Sequence, residues 1–200
     1  AEAIKNMGLT YSVITVVNRD DMDDGGALHY KKCIDKVHEM CPKVGIEFLC
    51  SDLSGNVDAL EFLLDNSPLT VFAHNVETVR RLTPRVRDPR ATFDQSLLIL
   101  KKAKEFRPDI ITKTSIMLGL GETEDDLLNA FEELRVAKVD LLTLGQYLSP
   151  GPRYHPVVSF PSPETFDSLA QVAKEMGFKA IASGPMVRSS YRAESLVAAA

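Results

Sequence analysis

The 200-residue sequence has no tryptophan, only three cysteines and no long uninterrupted run of apolar residues. Because a membrane-spanning helix needs about 18 or more consecutive apolar residues, none is predicted. The formal net charge of −5 argues against a general affinity for nucleic acid. Hydrophobic content of 44% and charged content of 26% are typical of one globular domain with a sizeable core.

The cysteines, Cys33, Cys41 and Cys50, are eight and nine positions apart. This spacing matches neither a zinc site nor an iron–sulfur motif such as C-x₃-C-x₂-C. Free cysteine is usually buried, so we expect buried, reduced thiols in a reducing compartment. The cysteines by themselves therefore predict no metal centre.

Segments with strand and helix patterns alternate along the chain. Apolar and β-branched runs predict strands at residues 11–17, 44–50, 69–73, 110–118, 139–144 and 179–182. Helices are predicted between the strands, three of them capped by Thr92, Thr123 and Ser162. Residues 80–90 are predicted to form a loop, and a last helix is predicted to begin at about Ser190. Such alternation implies a parallel sheet with right-handed crossovers. Five or six units suit a partial barrel, and a doubly wound sheet is the alternative.

Polar segments follow most of the predicted strands, at the end where parallel βα folds place their chemistry. They are Asn18-Arg19-Asp20-Asp21, His74-Asn75-Val76-Glu77-Thr78, Ser115 to Thr123, Gly145-Gln146-Tyr147 with Arg153 and His155 beyond it, and Arg188-Ser189-Ser190-Tyr191. Each has a functional and a purely structural interpretation. Asn18 to Asp21 would bind a charged ligand or form a capped turn. His74 to Thr78 would bind a metal ion or an amino acid, or would only make hydrogen bonds within the protein.

The remaining segments are equally open when the residues are considered alone. Gly119 and Gly121 allow a flat or anionic ligand to approach the backbone. Gln146 and Tyr147 contact a substrate or belong to a structured loop. A hydroxyl pair such as Ser189 and Ser190 is typical of a helix N-cap.

Together these segments resemble lipoyl synthase over essentially the whole chain. The resemblance rests on Val17 to Asp21, Phe72 to Thr78, Arg85 to Arg90, Asp94 to Leu97, Thr112 to Glu122, Leu142 to Tyr147 and Ser183 to Tyr191, in that order. It implies a partial (β/α)₆ barrel of the radical S-adenosylmethionine type, without its first strand and N-terminal cluster loops. Residues 1–200 would form one domain, with residues 183–200 as a cluster-ligand motif and tail.

Lipoyl synthases use S-adenosylmethionine and two 4Fe–4S clusters, one of which donates sulfur, to modify C6 and C8 of a protein-bound octanoyl chain. By resemblance, Asn18, Arg19, Asn75 and Glu77 line the S-adenosylmethionine and substrate cavity. Ser115-x-Met117-x-Gly119-x-x-Glu122 is similar to a motif that packs on the adenine, with Ser and Met in place of Gly and Ile. Substrate contacts would come from Gln146, Tyr147, Arg153 and His155. Ser189, or alternatively Ser190, would be the fourth ligand of the sulfur-donating cluster.

The family's two cysteine triplets do not occur in this sequence. We therefore expect a C-terminal fragment that builds neither cluster, is inactive as it stands, and has Ser189 and Ser190 capping a helix or disordered. The implied partners are a reductant and octanoylated carrier domains, namely glycine cleavage H protein and the E2 subunits of 2-oxoacid dehydrogenases. The forms Arg-Asp-Pro-Arg and Phe-Ala-His-Asn favour the mitochondrial matrix, with the bacterial cytoplasm as the alternative.

Two other functions remain open. A non-catalytic module would dock acidic carrier domains through the basic loop, whose arginines are Arg80, Arg81, Arg85, Arg87 and Arg90. An unrelated βα-barrel lyase would use His74 and Glu77 as acid–base groups.

Overall fold

Six parallel strands pair in the order in which they occur along the chain. The computed structural model describes residues 1–200. The strands are β1 (Tyr11–Thr15), β2 (Gly45–Leu49), β3 (Val71–Ala73), β4 (Ile111–Leu118), β5 (Leu141–Gln146) and β6 (Ala180–Gly184). The two outer strands, β1 and β6, do not pair with each other, so the sheet is open. A sequential order without reversal is that of a partial barrel and excludes the doubly wound alternative.

Each strand is followed by a helix, and one further helix precedes β1. The helices are α1 (Glu2–Asn6), α2 (Ala27–Met40), α3 (Val57–Leu64), α4 (Thr83–Val86), α5 (Phe93–Phe106), α6 (Glu124–Val136), α7 (Pro163–Glu175) and α8 (Ala193–Ala198), with a 3₁₀ turn at Leu53–Gly55. The prediction of a loop at residues 80–90 was wrong in part, because α4 lies within it. A four-residue helix is too short to show an apolar period in the sequence.

The predicted caps are confirmed by their hydrogen bonds. Thr92 Oγ1 accepts from the Gln95 backbone N–H at 3.1 Å, and Ser162 accepts from Thr165 in the same way. Thr123 and Asp126 form a complete capping box at the start of α6. The Gln95 side chain does not close the first box, because it donates to Asp52 Oδ2 at 2.8 Å.

The helices α2, α3, α5, α6 and α7 cover one face of the sheet. Around β2 and β3, Phe48 and Phe72 are fully buried in one apolar cluster with residues of α2, α3 and α5. Around β4 and β5 a second cluster includes Phe131 and Phe178, whose rings meet edge to face with centroids 6.1 Å apart. Side chains alternate along a strand, so the neighbouring residues face the opposite, concave side.

The concave face carries a buried ion pair. Lys113 on β4 donates to Glu47 on β2 at 2.7 Å, and both side chains are 1% exposed. Tyr11 on β1 donates its hydroxyl to the other Glu47 oxygen at 2.9 Å. Burial, together with the neighbouring Glu47 carboxylate, raises the pKa of the Tyr11 phenol. These three side chains tie β1, β2 and β4 together across the inside of the sheet.

The cysteines are free, and two of the three, Cys41 and Cys50, are buried. The expectation that Cys33 is buried was wrong, because Cys33 is exposed. On α2 the buried stripe consists of Ala27, Tyr30, Ile34 and Val37, and Cys33 lies beside it, 3.6 Å from His29 on the solvent side. The sequence contains no helix that is both long and apolar enough to cross a membrane.

Asp140 connects the opposite, N-terminal ends of the strands. Its carboxylate accepts from Lys104 at 2.7 Å, from Lys179 at 3.0 Å and from the Thr112 backbone N–H at 2.9 Å. Burial on its own raises the pKa of Asp140, but the hydrogen bonds from Lys104 and Thr112 outweigh it and lower the pKa below its usual value. The ionised carboxylate therefore stabilises the fold.

We predict that Asp140→Asn lowers the free energy of unfolding by about 2 kcal/mol at neutral pH, because two cations lose a buried anionic partner. A lowered pKa contributes stability above the unfolded value near 4, and this contribution is lost as the pH falls through the folded pKa. The gap between variant and parent should therefore close in strong acid. Urea unfolding at several pH values measures this difference in the free energy of unfolding. A difference that does not change with pH would contradict a stabilising role of the ionised Asp140 carboxylate.

The matched control is Asp109→Asn. Like Asp140, Asp109 pairs with a cation, here Arg107 at 2.7 Å, but its side chain is 68% exposed. Exposed ion pairs are screened by water, so this variant should change the stability by less than about 0.5 kcal/mol.

Candidate functional site

The chain remains paired to β4 after β3 has ended. His74 N–H donates to the Lys113 carbonyl at 3.0 Å, and Glu77 N–H donates to the Ser115 carbonyl at 3.1 Å. Glu77 also accepts from the Met117 N–H at 2.8 Å and forms an isolated parallel bridge with Ile116. Residues 74–77 are thereby held at the carboxyl edge of the sheet, where parallel folds place their ligands.

The alternation of a strand continues through this segment. Val76 is fully buried in the apolar cluster behind the sheet, and its N–H donates to Thr114 Oγ1 at 3.1 Å. The side chains of Asn75 and Glu77 face a cavity of about 190 Å³ on the other side. The structure therefore brings Asn75 and Glu77 together at one cavity, and their role as ligand-binding residues remains a prediction.

The cavity lies at the carboxyl ends of β1, β2 and β3. Its lining is largely polar and consists of Val16, Asn18, Leu49, Cys50, Ser51, Asp52, His74, Asn75, Glu77 and Arg87. Three of the four residues predicted to line it, Asn18, Asn75 and Glu77, are present. Arg19 is not, because its guanidinium makes two bonds of 2.7 Å to Asp21.

Glu77 is the carboxylate in this cavity with the most unusual surroundings. Its backbone φ is +65°, in the left-handed region that non-glycine residues seldom adopt. Burial raises the pKa of its carboxyl group, opposed by a hydrogen bond of 3.2 Å from Asn75 and by the charge of Arg87. Backbone strain and a raised pKa in one residue are typical of functional sites.

Arg87 supplies the positive charge of the cavity, and the sequence did not single it out as a site residue. Its Nη1 donates to Ser96 Oγ at 2.7 Å, and it makes no ion pair with any carboxylate. Burial lowers the pKa of Arg87, while Glu77 and Asp52 offset this effect. A half-buried guanidinium beside a carboxylate can bind both ends of a zwitterion, such as an α-amino acid.

His74 is a structural residue of this cavity wall. Its Nδ1 is 3.0 Å from the Cys50 carbonyl, its Nε2 is 2.9 Å from Ser96 Oγ, and the side chain is buried. Burial lowers its pKa to about 4, so the ring is neutral at physiological pH. Because both ring nitrogens are engaged within the protein, the structure does not support the lyase interpretation, in which His74 is an acid–base group.

Gly119 and Glu122 lie outside the cavity. Gly119 contacts residues 155–159, named the covering segment, and Glu122 holds the turn that contains Gly119. Gly119 has φ +97°, and a Cβ built on it overlaps the Ser159 carbonyl oxygen. Its own carbonyl accepts from the Val158 N–H at 2.8 Å. Glu122 accepts from the N–H groups of Gly119 and Leu120 at 2.6 and 2.9 Å. The close approach that this glycine permits is therefore to the protein itself, and the role of Met117, Gly119 and Glu122 at an adenine remains a prediction.

Three of the four predicted substrate residues, Gln146, Tyr147 and His155, fix the same covering segment. Gln146 Nε2 donates to the Ser159 carbonyl at 3.2 Å, and Tyr147 donates its hydroxyl to the His155 carbonyl at 2.8 Å. His155 Nε2 donates to the Leu120 carbonyl at 2.9 Å. Arg153 is exposed and makes no ion pair. None of the four lines the cavity, so their contact with a substrate also remains a prediction.

Ser189 and Ser190 lie in the turn between β6 and α8. Ser189 is partly buried and Ser190 is exposed. Neither serine caps α8, which begins at Ala193 with Arg192 as its N-cap and no capping side chain. The prediction of a helix cap was therefore wrong, and the helix begins three residues later than expected. Since Arg192 has φ +44° and ψ +41°, its left-handed backbone turns the chain into α8 without a serine.

No group of three or more His, Cys, Asp or Glu side chains is arranged to hold a metal ion. Cys33 lies exposed on α2, while Cys41 and Cys50 are buried. Burial strongly raises the pKa of Cys50, which disfavours the thiolate that a cluster needs. Residues 1–200 alone thus do not fit a 4Fe–4S cluster.

The basic residues at positions 80–90 are largely neutralised. Arg80 pairs with Asp94 and Glu133, and Arg81 pairs with Asp126. Arg90 pairs with Asp88 and Asp20, and Arg87 faces the cavity, which leaves Arg85 as the one exposed arginine of the five without an ion pair. A continuous positive surface for docking is therefore not present.

We predict that Gly119→Ala destabilises the protein by more than about 2 kcal/mol, because the new methyl group meets Ser159 in a backbone conformation that favours glycine. The covering segment should also become accessible to protease. Gly8→Ala is the matched control, because Gly8 has φ +63° but an added Cβ there meets no atom within 4 Å. Gly8→Ala should lower the free energy of unfolding by only about 1 kcal/mol. Equal losses in thermal unfolding would show that the contact with Ser159 is unimportant.

Comparison with known proteins places this geometry in a family. The sequence profile of the radical SAM superfamily matches residues 1–134. The solved FeFe-hydrogenase maturase HydG from Carboxydothermus hydrogenoformans shares the fold, with a TM-score of 0.66 at 16% identity over 99% of this chain and 47% of that protein. The likeness confirms a radical-SAM-type α/β architecture.

Curated relatives are similar over nearly the whole chain. The lipoyl synthases of Thermus thermophilus and Marinobacter nauticus are 52% and 50% identical over 97% of it. The mitochondrial lipoyl synthase of Candida tropicalis is 48% identical over 96%. The chain spans 60%, 56% and 51% of the lengths of these relatives, respectively. The chain therefore belongs to the radical SAM superfamily, and the curated relatives that it resembles from end to end are lipoyl synthases.

Proposed function

We propose that this chain is part of a lipoyl synthase, a sulfurtransferase that inserts two sulfur atoms at C6 and C8 of a protein-bound octanoyl-lysine. The observation that carries the proposal is about 50% identity to lipoyl synthases, sustained over 97% of the chain. Identity of this extent along a βα fold covers the strand ends as well as the core, and function depends on the strand ends.

The cavity fits one end of S-adenosylmethionine. Its volume of about 190 Å³ is below the ~300–1,000 Å³ of sites for drug-sized ligands, so it accommodates a small polar group. Arg87 would bind the carboxylate of the amino acid, and Glu77 with Asn18 and Asn75 would bind its ammonium group or neighbouring hydroxyls. When bound, the cofactor supplies the radical that removes hydrogen from the octanoyl chain. Met117, Gly119 and Glu122 would support its adenine end.

The clusters require ligands from outside residues 1–200. We assign Ser189, with Ser190 as the alternative, as the oxygen ligand of the sulfur-donating cluster. Ser189 is the more buried of the two, which supports the choice. An oxygen ligand is harder than the thiolates that iron–sulfur clusters prefer and is for that reason more easily released. Gln146, Tyr147, Arg153 and His155 would act near the octanoyl chain through the covering segment.

The proposed partners are a reductant and octanoylated carrier domains, namely glycine cleavage H protein and the E2 subunits of 2-oxoacid dehydrogenases. Because Arg85 is the one exposed arginine of the basic loop without an ion pair, we propose that carrier docking depends little on that loop. Relatives from bacteria and from a yeast mitochondrion match about equally well. We place the protein in the mitochondrial matrix on the Arg-Asp-Pro-Arg and Phe-Ala-His-Asn forms, with the bacterial cytoplasm as the alternative.

We predict that the 200-residue chain, reconstituted anaerobically with iron and sulfide, binds no stoichiometric 4Fe–4S cluster and forms no lipoyl product. Its three cysteines do not have the spacing of cluster ligands, and two of them, Cys41 and Cys50, are buried. Iron and sulfide analysis and the visible absorption spectrum measure this. Four irons per chain in a stable cluster would contradict it, and the Thermus thermophilus lipoyl synthase is the positive control.

A chimera tests the function itself. Replacing the matching segment of the Thermus thermophilus enzyme by these 200 residues should give an enzyme that holds its clusters and converts an octanoylated carrier domain, as measured by mass spectrometry. The same chimera with Arg87→Met should raise the KM for S-adenosylmethionine by about tenfold, because a charge-assisted bond is lost. A chimera that folds and holds its clusters but makes no lipoyl group would refute the proposal.

A further inference from the structure

A chain of hydrogen bonds runs along the cavity wall from Arg87 to the backbone of Cys50, which directly follows β2. Arg87 Nη1 donates to Ser96 Oγ at 2.7 Å, Ser96 Oγ is 2.9 Å from His74 Nε2, and His74 Nδ1 is 3.0 Å from the Cys50 carbonyl oxygen. The three side chains come from three separate parts of the sequence. Their contact is therefore a product of the fold.

The direction of each bond follows from chemistry. A carbonyl oxygen only accepts, so Nδ1 of His74 carries the proton and donates to Cys50. In a neutral ring Nε2 then accepts, and Ser96 donates its hydroxyl proton to it. The Ser96 oxygen is left to accept from Arg87, which can only donate. Each group thus has one fixed role, and the order runs from Arg87 to Ser96, His74 and Cys50.

The surroundings hold this order in place. Ser96 is fully buried and His74 is 4% exposed, so water does not compete for these bonds. Burial lowers the pKa of His74 to about 4, and the charge of Arg87 acts in the same direction. The ring therefore stays neutral over the physiological pH range, and Nε2 stays an acceptor.

Arg87 has no other side chain to orient it. Its Nε and Nη2 atoms donate to no protein group, and no carboxylate lies within ion-pair distance. A guanidinium has five N–H groups in a planar fork, so one bond to Ser96 leaves the other donors of Arg87 free, and Arg87 lines the cavity. An anion bound there completes the set of partners that a half-buried cation requires.

We propose that Ser96 and His74 are positioning residues that aim the Arg87 guanidinium at the carboxylate of the bound adenosyl amino acid. This inference rests on the proposed function, because it takes the cavity to hold that end of the ligand. Ser96 and His74 do not touch the ligand in this scheme. They act by fixing the fork of Arg87 before binding, which lowers the entropic cost of association.

The test compares two ligands that differ in the group at issue. S-adenosylhomocysteine carries the amino-acid carboxylate and 5′-methylthioadenosine lacks it, and calorimetric titration of the full 200-residue chain gives both affinities. Ser96→Ala should weaken S-adenosylhomocysteine about tenfold and 5′-methylthioadenosine less than twofold. In an Arg87→Met background, Ser96→Ala should cause no further loss, because Ser96 acts through Arg87.

Ser67→Ala is the matched control. Ser67 is also a buried serine, at 5% exposure, but its hydroxyl has no hydrogen-bond partner. It should leave both affinities within twofold of those of the parent. If Ser96→Ala does not fold by circular dichroism, Ser96→Cys preserves the shape with a weaker hydrogen bond, and the same selective loss is expected in smaller measure.

The possible failures are distinguishable. If the unaltered chain binds S-adenosylhomocysteine but Ser96→Ala weakens both ligands equally, or neither, the positioning role is wrong and the proposed site stands. Additive losses in Ser96→Ala and Arg87→Met would also overturn it. If the unaltered chain binds neither ligand, the assignment of the cavity to an adenosyl amino acid is itself wrong.

Discussion

The pairing of β3 with β4 beyond Ala73 is the constraint on which the site depends. Regular strand structure ends after three residues, yet hydrogen bonds to β4 continue as far as Glu77. This pairing holds Asn75 and Glu77 at the cavity and Val76 in the core, although the backbone of Glu77 itself is left-handed. A slip of one residue would exchange the two sets and remove the Glu77 carboxylate from the cavity.

The polar residues at the strand ends divide into two groups with different tasks. Around β1 to β3 they line the cavity, with Arg87 and Glu77 as its opposite charges. Around β4 and β5 they bond to backbone groups of the protein, as Glu122 and Gln146 do. A residue type in a motif does not distinguish these tasks, because the same carboxylate or amide can bind a ligand or a neighbouring loop.

Local features of the fold could be predicted from the sequence, whereas features made by distant contacts could not. The helix Val57–Leu64 and the caps at Thr92 and Thr123 depend on residues within one turn. The position of Arg87 depends on Ser96 and on the fold around it, so no local pattern signals it. At Ser189 and Ser190 a local pattern was misleading. It predicts a helix cap, but α8 begins after Arg192, whose left-handed backbone takes the N-cap position. Ser51 and Asp52 could have been found, because they directly follow β2 as the other polar segments follow their strands.

The arrangement of charge explains why a cation without a carboxylate partner is tolerated in the cavity. A half-buried guanidinium is unfavourable unless its donors find acceptors, and Ser96 satisfies only one of them. The charges of Glu77 and Asp52 offset part of the cost without forming an ion pair, which leaves the fork of Arg87 available. Had a carboxylate of the protein paired with Arg87, the fold would gain stability and a ligand carboxylate would have to displace it. The structure thus gives up local stability at the point where the proposed binding of a carboxylate would need an unpaired positive charge.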